Sequence, residues 1–195
     1  MLKVLKFGGS SMADAAQFAK IKGIVDSDDS RRVVVVSAPG KRHKDDHKVT
    51  DLLYLCHAHV QYGVSCDSVY DMITSRYLEI RDELGLDLAL EPEFEVLKQR
   101  LDKKKVSQDE LVSRGEYFSA KLMAAYLGYR FVDSSDWMFF NMDGTVDRKK
   151  SYSALKSMFT EEGVVIETYM APEDWAECGE EATTIINDYG TLTAI

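Results

Sequence analysis

Lysine, glycine and serine follow one another near the amino terminus in a spacing suited to binding an anion. Lys6 ends a short apolar run, Gly8 and Gly9 come next, and Ser10 and Ser11 follow. Glycines leave backbone N–H groups open to a phosphate, and a helix that begins here adds the positive end of its dipole. Either serine could cap that helix. The stretch predicts a phosphate site with Lys6 as its ammonium, although a plain strand-to-helix turn with Lys6 exposed fits equally well.

A second polar cluster follows the next apolar strand. Four valines at 33–36 lead directly into Ser37-Ala38-Pro39-Gly40. Ligands of parallel α/β sheets bind at the carboxyl ends of the strands, so Ser37 is expected at the same edge as the first glycine turn. Thr50 begins a predicted helix, and Glu116 lies near the start of another, off its apolar stripe. Taken alone, Thr50 is better explained as a helix cap and Glu116 as an exposed helix residue.

The loop after this strand contains side chains of the kinds that bind metals. His43, Asp45, Asp46 and His47 lie within residues 40–48, together with several lysines and an arginine. The basic side chains would repel a divalent cation. We therefore interpret the segment as a solvated, mobile loop near the mouth of a site, and we predict no metal site.

The hydrophobic pattern predicts strands and helices that alternate around these residues. Strands are predicted at 2–7, 33–36, 129–132 and 163–166, and helices at 12–25, 49–62, 65–84, 92–104, 108–127 and 148–159. Ser107 and Glu110 form a capping box, Gly128 ends the same helix, and Asp147 caps the last one. The order of elements predicts an α/β fold with a mostly parallel sheet. The helices at about 50–110 are interpreted as an insertion along the sheet edge.

Composition excludes several classes of protein. The chain has 195 residues, of which 45% are hydrophobic and 29% charged, as in an ordinary globular domain. A net charge of -9 argues against a nucleic-acid-binding protein. We find no signal peptide, no apolar run of the ~20 residues that a membrane helix needs, and no cysteine spacing typical of disulfides or zinc. We expect a cytoplasmic protein with no membrane or nucleic-acid partner.

Four stretches together resemble successive motifs of the aspartokinases, which belong to the amino acid kinase family. They are KFGGSS at 6–11, VSAPGK at 36–41, VTDLL at 49–53 and SRGEYFSA at 113–120. Their order and approximate spacing match those of that family, as does Phe131-Val132-Asp133. The resemblance covers roughly residues 1–166, which correspond to the N-terminal part of the kinase domain. It implies a three-layer α/β/α domain.

The resemblance also implies a reaction and a set of site residues. Aspartokinases transfer the γ-phosphoryl group of ATP, which carries Mg²⁺, to the side-chain carboxylate of L-aspartate, giving 4-phospho-L-aspartate at the entry to lysine, threonine and methionine synthesis. The residues implied to bind the nucleotide phosphates are Lys6, Phe7, Gly8, Gly9 and Ser10. Lys6 is the implied catalytic residue, which stabilises charge on the transferred group. Ser37 and Thr50 would position L-aspartate through their hydroxyls, and Glu116 would accept its α-ammonium group. A homo-oligomer is possible.

The resemblance ends near Ile166. The family continues with a Pro-Gly-Phe-Tyr-Gly-like turn and an Arg-Gly-Gly-Ser-Asp segment, whereas residues 167–195 form a divergent acidic tail with no ACT domain. A truncated or frameshifted reading frame would explain this change, and we expect impaired turnover. Two alternatives stay open: a catalytically inactive fragment or non-catalytic subunit that retains partial substrate binding, and another enzyme of the amino acid kinase family.

Overall fold

The computed structural model describes residues 3–159, 163–167, 184–186 and 192–194. The strands are β1 (Lys3–Lys6), β2 (Arg31–Val35), β3 (Arg130–Val132), β4 (Val164–Ile166), β5 (Thr184–Ile186) and β6 (Leu192–Ala194). The helices are α1 (Ala15–Asp26), α2 (Val49–Gln61), α3 (Asp67–Glu83), α4 (Glu91–Asp102), α5 (Gln108–Leu127) and α6 (Arg148–Met158). Each strand and helix predicted within the described residues is therefore present, with bounds that differ by a few residues.

Four strands form one parallel sheet in the order β1-β2-β4-β3. At its centre Val33 lies opposite Val164, and Val35 lies opposite Ile166. Branched side chains on both strands are buried, which is typical of a parallel sheet covered on both faces. The predicted α/β class with a mostly parallel sheet is confirmed. The strands β5 and β6 form a separate antiparallel pair.

Helices cover the sheet on both faces. Side chains alternate along each strand, so Leu5 and Val34 face one side, whereas Val4 and Val33 face the other. The first side packs against buried residues of α1 to α5, and the second packs against α6 and Trp137. The three-layer α/β/α arrangement is thereby confirmed. The helices of the segment predicted as an insertion bury their apolar residues in the same core as the sheet.

Two predicted helix caps are wrong. Neither Ser10 nor Ser11 caps a helix, because both lie inside a short 3₁₀ turn that spans Gly9–Met12. The helix α1 begins later, where the Asp14 carboxylate accepts a hydrogen bond of 2.9 Å from the Gln17 amide. Thr50 is not a cap either, since Lys48 occupies that position and Thr50 lies in the first turn of α2.

Other predicted caps are confirmed. The Ser107 hydroxyl accepts a bond of 3.1 Å from the Glu110 amide, and Asp147 accepts one of 3.0 Å from the Lys150 amide. The return half of the predicted capping box is absent, because the Glu110 carboxylate binds Arg100 instead, at 2.6 Å. Gly128 ends α5 with a φ of 71°, a left-handed conformation that favours glycine.

No helix within the described ranges combines the length and apolarity that crossing a bilayer requires. The predicted divergent tail, apart from Glu167 and the backbone of the two short strands, lies outside the described residues. The predicted truncation therefore stays a prediction.

Candidate active site

Two loops meet at the carboxyl ends of β1 and β2, and glycines make their close approach possible. The Gly40 amide donates a hydrogen bond of 2.7 Å to the Gly9 carbonyl. A Cβ at Gly40 would lie 2.6 Å from the Gly9 carbonyl carbon and 2.9 Å from the Ser10 nitrogen, so a side chain does not fit. The second loop continues into α2, where the Val49 amide donates to the Pro39 carbonyl at 3.0 Å. One backbone bond thus joins the two loops, and a second one anchors the second loop to the start of α2.

A cavity of about 410 Å³ opens where these loops meet. The residues that line it include glycines and residues that carry hydroxyl, ammonium and carboxylate groups: Gly9, Ser10, Ser37, Ala38, Pro39, Gly40, Lys41, Lys48, Thr50 and Glu116. Five of the eight site residues implied by the resemblance are therefore together, from two loops and two helices. Thr50 lies within the first turn of α2, rather than at its cap, and lines the cavity there.

Glu116 reaches the cavity because α5 packs unusually close to the second loop. Gly115 allows this approach, since a Cβ there would lie 2.8 Å from the Ala38 Cβ and 3.1 Å from Leu53 Cδ1. The buried Tyr77 hydroxyl donates to the Gly115 carbonyl at 2.7 Å and holds the helix in place. The Glu116 carboxylate accepts a long bond of 3.4 Å from the Ala38 amide. Glu116 is therefore not the exposed helix residue that its sequence position alone suggests.

Burial raises the pKa of Glu116, and the backbone hydrogen bonds that lower it do not compensate. Among the described residues, no cationic side chain contributes to the shift of this pKa, so a positively charged ligand group beside the carboxylate would stabilise its ionised form. Lys41 and Lys48 are exposed at the same cavity and supply positive charge. The cavity therefore offers one place for a cation and others for anions, which suits a zwitterion.

The sequence did not single out Lys41 and Lys48 as site residues. Both lie at the ends of the loop interpreted as solvated and mobile, and their basic character was the available signal. That interpretation is wrong for one member of the loop, since Asp46 is only 8% exposed and binds arginines. His43 and His47 are exposed.

The remaining three predicted residues lie beside the cavity without lining it. Lys6 is half-buried at the end of β1, and Gly8 precedes the 3₁₀ turn. The Phe7 side chain is 1% exposed within the core, so its predicted contact with the nucleotide would involve its backbone. Their backbone stands at the same edge of the sheet, because the Phe7 amide bonds to the Val35 carbonyl at 2.8 Å.

Among the described residues, one group of three possible metal ligands converges: Cys66, Asp67 and Asp102. The Lys98 ammonium already lies 2.6 Å from the Asp67 carboxylate and 2.7 Å from that of Asp102. Lys98 thus already neutralises the two carboxylates of this group. This cluster offers no support for a metal site.

The chain belongs to the amino acid kinase family, whose sequence profile matches residues 1–171. Its relatives in that family include aspartokinases. It is 40% identical over 139 residues to aspartokinase 3 of Bacillus subtilis, and the match covers 67% of this chain and 30% of that protein. The domain is therefore an aspartate kinase-like member of the family.

Solved structures agree with this assignment. The aspartate kinase of Clostridium acetobutylicum superposes with a TM-score of 0.80 at 38% identity, over 100% of this chain and 42% of the other. Aspartokinase III of E. coli, solved in complex with aspartate and ADP, shares the fold with a TM-score of 0.70 at 20% identity, over 100% of this chain and 43% of that one. The chain spans less than half the length of these relatives.

Proposed function

We propose that this chain carries the aspartate-binding part of an aspartate kinase, which transfers the γ-phosphoryl group of ATP to the side-chain carboxylate of L-aspartate. The observation that carries the proposal is that Glu116, Ser37 and Thr50 line one cavity. The names of the relatives, aspartokinases in each case, support the choice of substrate. Synthesis of lysine, threonine and methionine in the cytoplasm would be the setting.

The cavity suits an amino acid with an additional carboxylate. Glu116 would accept the α-ammonium group, a charge-assisted hydrogen bond that selects amino acids from simple dicarboxylates. The hydroxyls of Ser37 and Thr50 would donate to carboxylate oxygens, and Lys48 would balance the ligand's second negative charge. In this arrangement the ligand ammonium would supply a positive charge beside Glu116.

The turn that follows β1 would bind the phosphates. Two negatively charged reactants repel each other, so the protein must hold the carboxylate and the triphosphate in line and neutralise them. Gly9, Ser10 and Lys41 line the cavity and Lys41 is exposed, which supports a phosphate site formed by backbone N–H groups and a cation. Lys6 would act as the catalytic ammonium from the adjacent strand end. Mg²⁺ would arrive on the nucleotide and would neutralise phosphate charge.

Calorimetric titration of L-aspartate into the purified full chain tests this proposal. We expect saturable binding by the wild type and a loss of about tenfold or more in affinity for Glu116→Gln, because an amide cannot pair with the ammonium charge. The matched control is Glu110→Gln, on the same helix but bound to Arg100 and away from the cavity lining. Equal affinity in the wild type and Glu116→Gln would count against the proposal.

Binding and turnover need separate measurements, since the chain spans 42% of the Clostridium acetobutylicum enzyme. Incubation with Mg-ATP and L-aspartate, with trapping of the acyl phosphate as a hydroxamate, reports turnover. Hydroxamate formation would establish a complete kinase site. Aspartate binding without hydroxamate would support the alternative of a non-catalytic chain that retains partial substrate binding.

A further inference from the structure

A buried arginine ties together the two loops that line the cavity. Arg76, on α3, is 5% exposed. Its guanidinium donates to the Gly40 carbonyl at 3.0 Å and makes a longer contact of 3.5 Å with the Ala13 carbonyl. Ala13 directly follows the 3₁₀ turn of the first loop, and Gly40 belongs to the second. One side chain from outside the cavity therefore contacts the backbone of both.

A carboxylate from the second loop fixes this arginine. Both oxygens of Asp46 accept from Arg76, at 2.8 and 2.7 Å. The same carboxylate accepts from the Arg42 amide at 2.9 Å and from Arg42 Nε at 3.0 Å, so it closes the loop on itself. Burial would raise the pKa of Asp46, yet the hydrogen bonds from Arg42 and the charge of Arg76 hold it well below its usual range. The pair stays ionised.

The geometry requires a planar guanidinium. Arginine carries N–H groups on two terminal nitrogens, so Nη2 contacts both oxygens of Asp46 while Nη1 reaches the carbonyls of Gly40 and Ala13. A lysine ammonium at the same place could not satisfy all of these acceptors at once. Neither Arg76 nor Asp46 lines the cavity, so neither is placed to act as a catalytic group.

We infer that Arg76, held by Asp46, is a positioning residue that sets the distance between the two loops and thereby the shape of the ligand cavity. The inference about the ligand rests on the proposed function. The loop-fixing role rests on the backbone contacts alone. The two parts can be measured independently.

Amide hydrogen exchange of the full chain, wild type and Arg76→Gln, measures the loop-fixing role. We expect exchange of the Gly40 and Val49 amides to accelerate by about tenfold or more, while amides within α4 keep their protection. The matched control is Arg81→Gln, on the same helix, where the arginine binds Glu91 at 2.6 Å and a backbone carbonyl at 3.2 Å. Like Arg76, Arg81 binds a loop through a backbone carbonyl, but that loop does not line the cavity.

Titration of L-aspartate into the same proteins measures the effect on the cavity. We expect Arg76→Gln to weaken affinity by about tenfold or more, since small displacements of binding groups are costly. Arg81→Gln should stay within about twofold of the wild type. Asp46→Asn should reproduce the effect of Arg76→Gln, and the double variant should be no worse than either single one.

Unchanged exchange at Gly40, or acceleration spread evenly over the whole chain, would overturn the inference. Failure of both Arg76→Gln and Asp46→Asn to fold would overturn it too, because the pair would then support the whole fold rather than these loops. If the wild type itself does not bind L-aspartate, the proposed function fails, and the exchange data alone decide whether Arg76 fixes the loops.

Discussion

Replacing Gly40 by alanine tests how closely the two loops approach. The added Cβ would lie 2.6, 2.7 and 2.9 Å from backbone atoms of Gly9 and Ser10, none of which can rotate away. Overpacking of this kind costs about 1–3 kcal/mol. Loss of the 2.7 Å bond between the Gly40 amide and the Gly9 carbonyl adds about 1 kcal/mol. The lower entropy of the unfolded alanine variant returns about 0.4–1 kcal/mol. We expect a net loss of about 2 kcal/mol in the free energy of unfolding.

Urea unfolding followed by circular dichroism measures this loss against a matched substitution. Gly23 lies in α1, exposed, and a Cβ there would meet nothing within 4 Å. Gly23→Ala should therefore stabilise the protein by about 0.5–1 kcal/mol through helix propensity. The same change from glycine to alanine should thus lower the free energy of unfolding at position 40 and raise it at position 23.

The two loops also line the cavity, so Gly40→Ala should weaken L-aspartate binding, whereas Gly23→Ala should leave it unchanged. A Gly40→Ala protein as stable as the wild type, with an unchanged dependence on urea, would refute the steric argument. Normal binding by a destabilised Gly40→Ala protein would separate loop contact from ligand recognition.

Two further predictions concern Glu116 and Ser107. Burial raises the pKa of Glu116 above its ordinary value of 4.5, so affinity for L-aspartate should fall as the pH is lowered through that raised pKa, and titrations of Glu116→Gln should lack this acid limb. The raised pKa also makes the stability of the ligand-free protein depend on pH. Between about pH 4.5 and the raised pKa the unfolded chain has released the Glu116 proton and the folded protein has not, so the free energy of unfolding falls as the pH rises. Glu116→Gln should remove this fall in urea unfolding measured as a function of pH. Ser107→Ala removes the acceptor of the 3.1 Å bond from the Glu110 amide, and it should cost about 1 kcal/mol in urea unfolding without affecting ligand binding.

Local signals in the sequence were sufficient for most of the fold. The valine run predicted the central strand because branched side chains favour a buried, pleated backbone. Gly128 predicted the end of α5, since only glycine adopts its left-handed conformation readily. Helix beginnings were less secure. Ser10, Ser11 and Asp14 are all good caps, and the 3₁₀ turn that includes both serines contacts the second loop through the bond from the Gly40 amide to the Gly9 carbonyl.

The candidate site depended on contacts that are distant in the sequence. Periodicity cannot show that Gly115 brings Glu116 to the second loop, because that approach requires Ala38 and Leu53 from other elements. The same is true of Asp46, whose partner Arg76 is 30 residues away. Without that partner, the loop pattern alone indicates a solvated segment. The resemblance to aspartokinases predicted a role for Glu116, and the structure places this residue at the cavity.

The most direct test of the central claim compares L-aspartate with succinate, which has the two carboxylates but no ammonium group. Calorimetric titration of both ligands into the wild type and Glu116→Gln gives four affinities. We predict that the wild type prefers L-aspartate by about tenfold or more, and that Glu116→Gln loses this preference. Succinate lacks the ammonium group and Glu116→Gln lacks the carboxylate, so either change alone removes the charge-assisted contact. A preference for L-aspartate that persists in Glu116→Gln would contradict the claim that this carboxylate recognises the amino group.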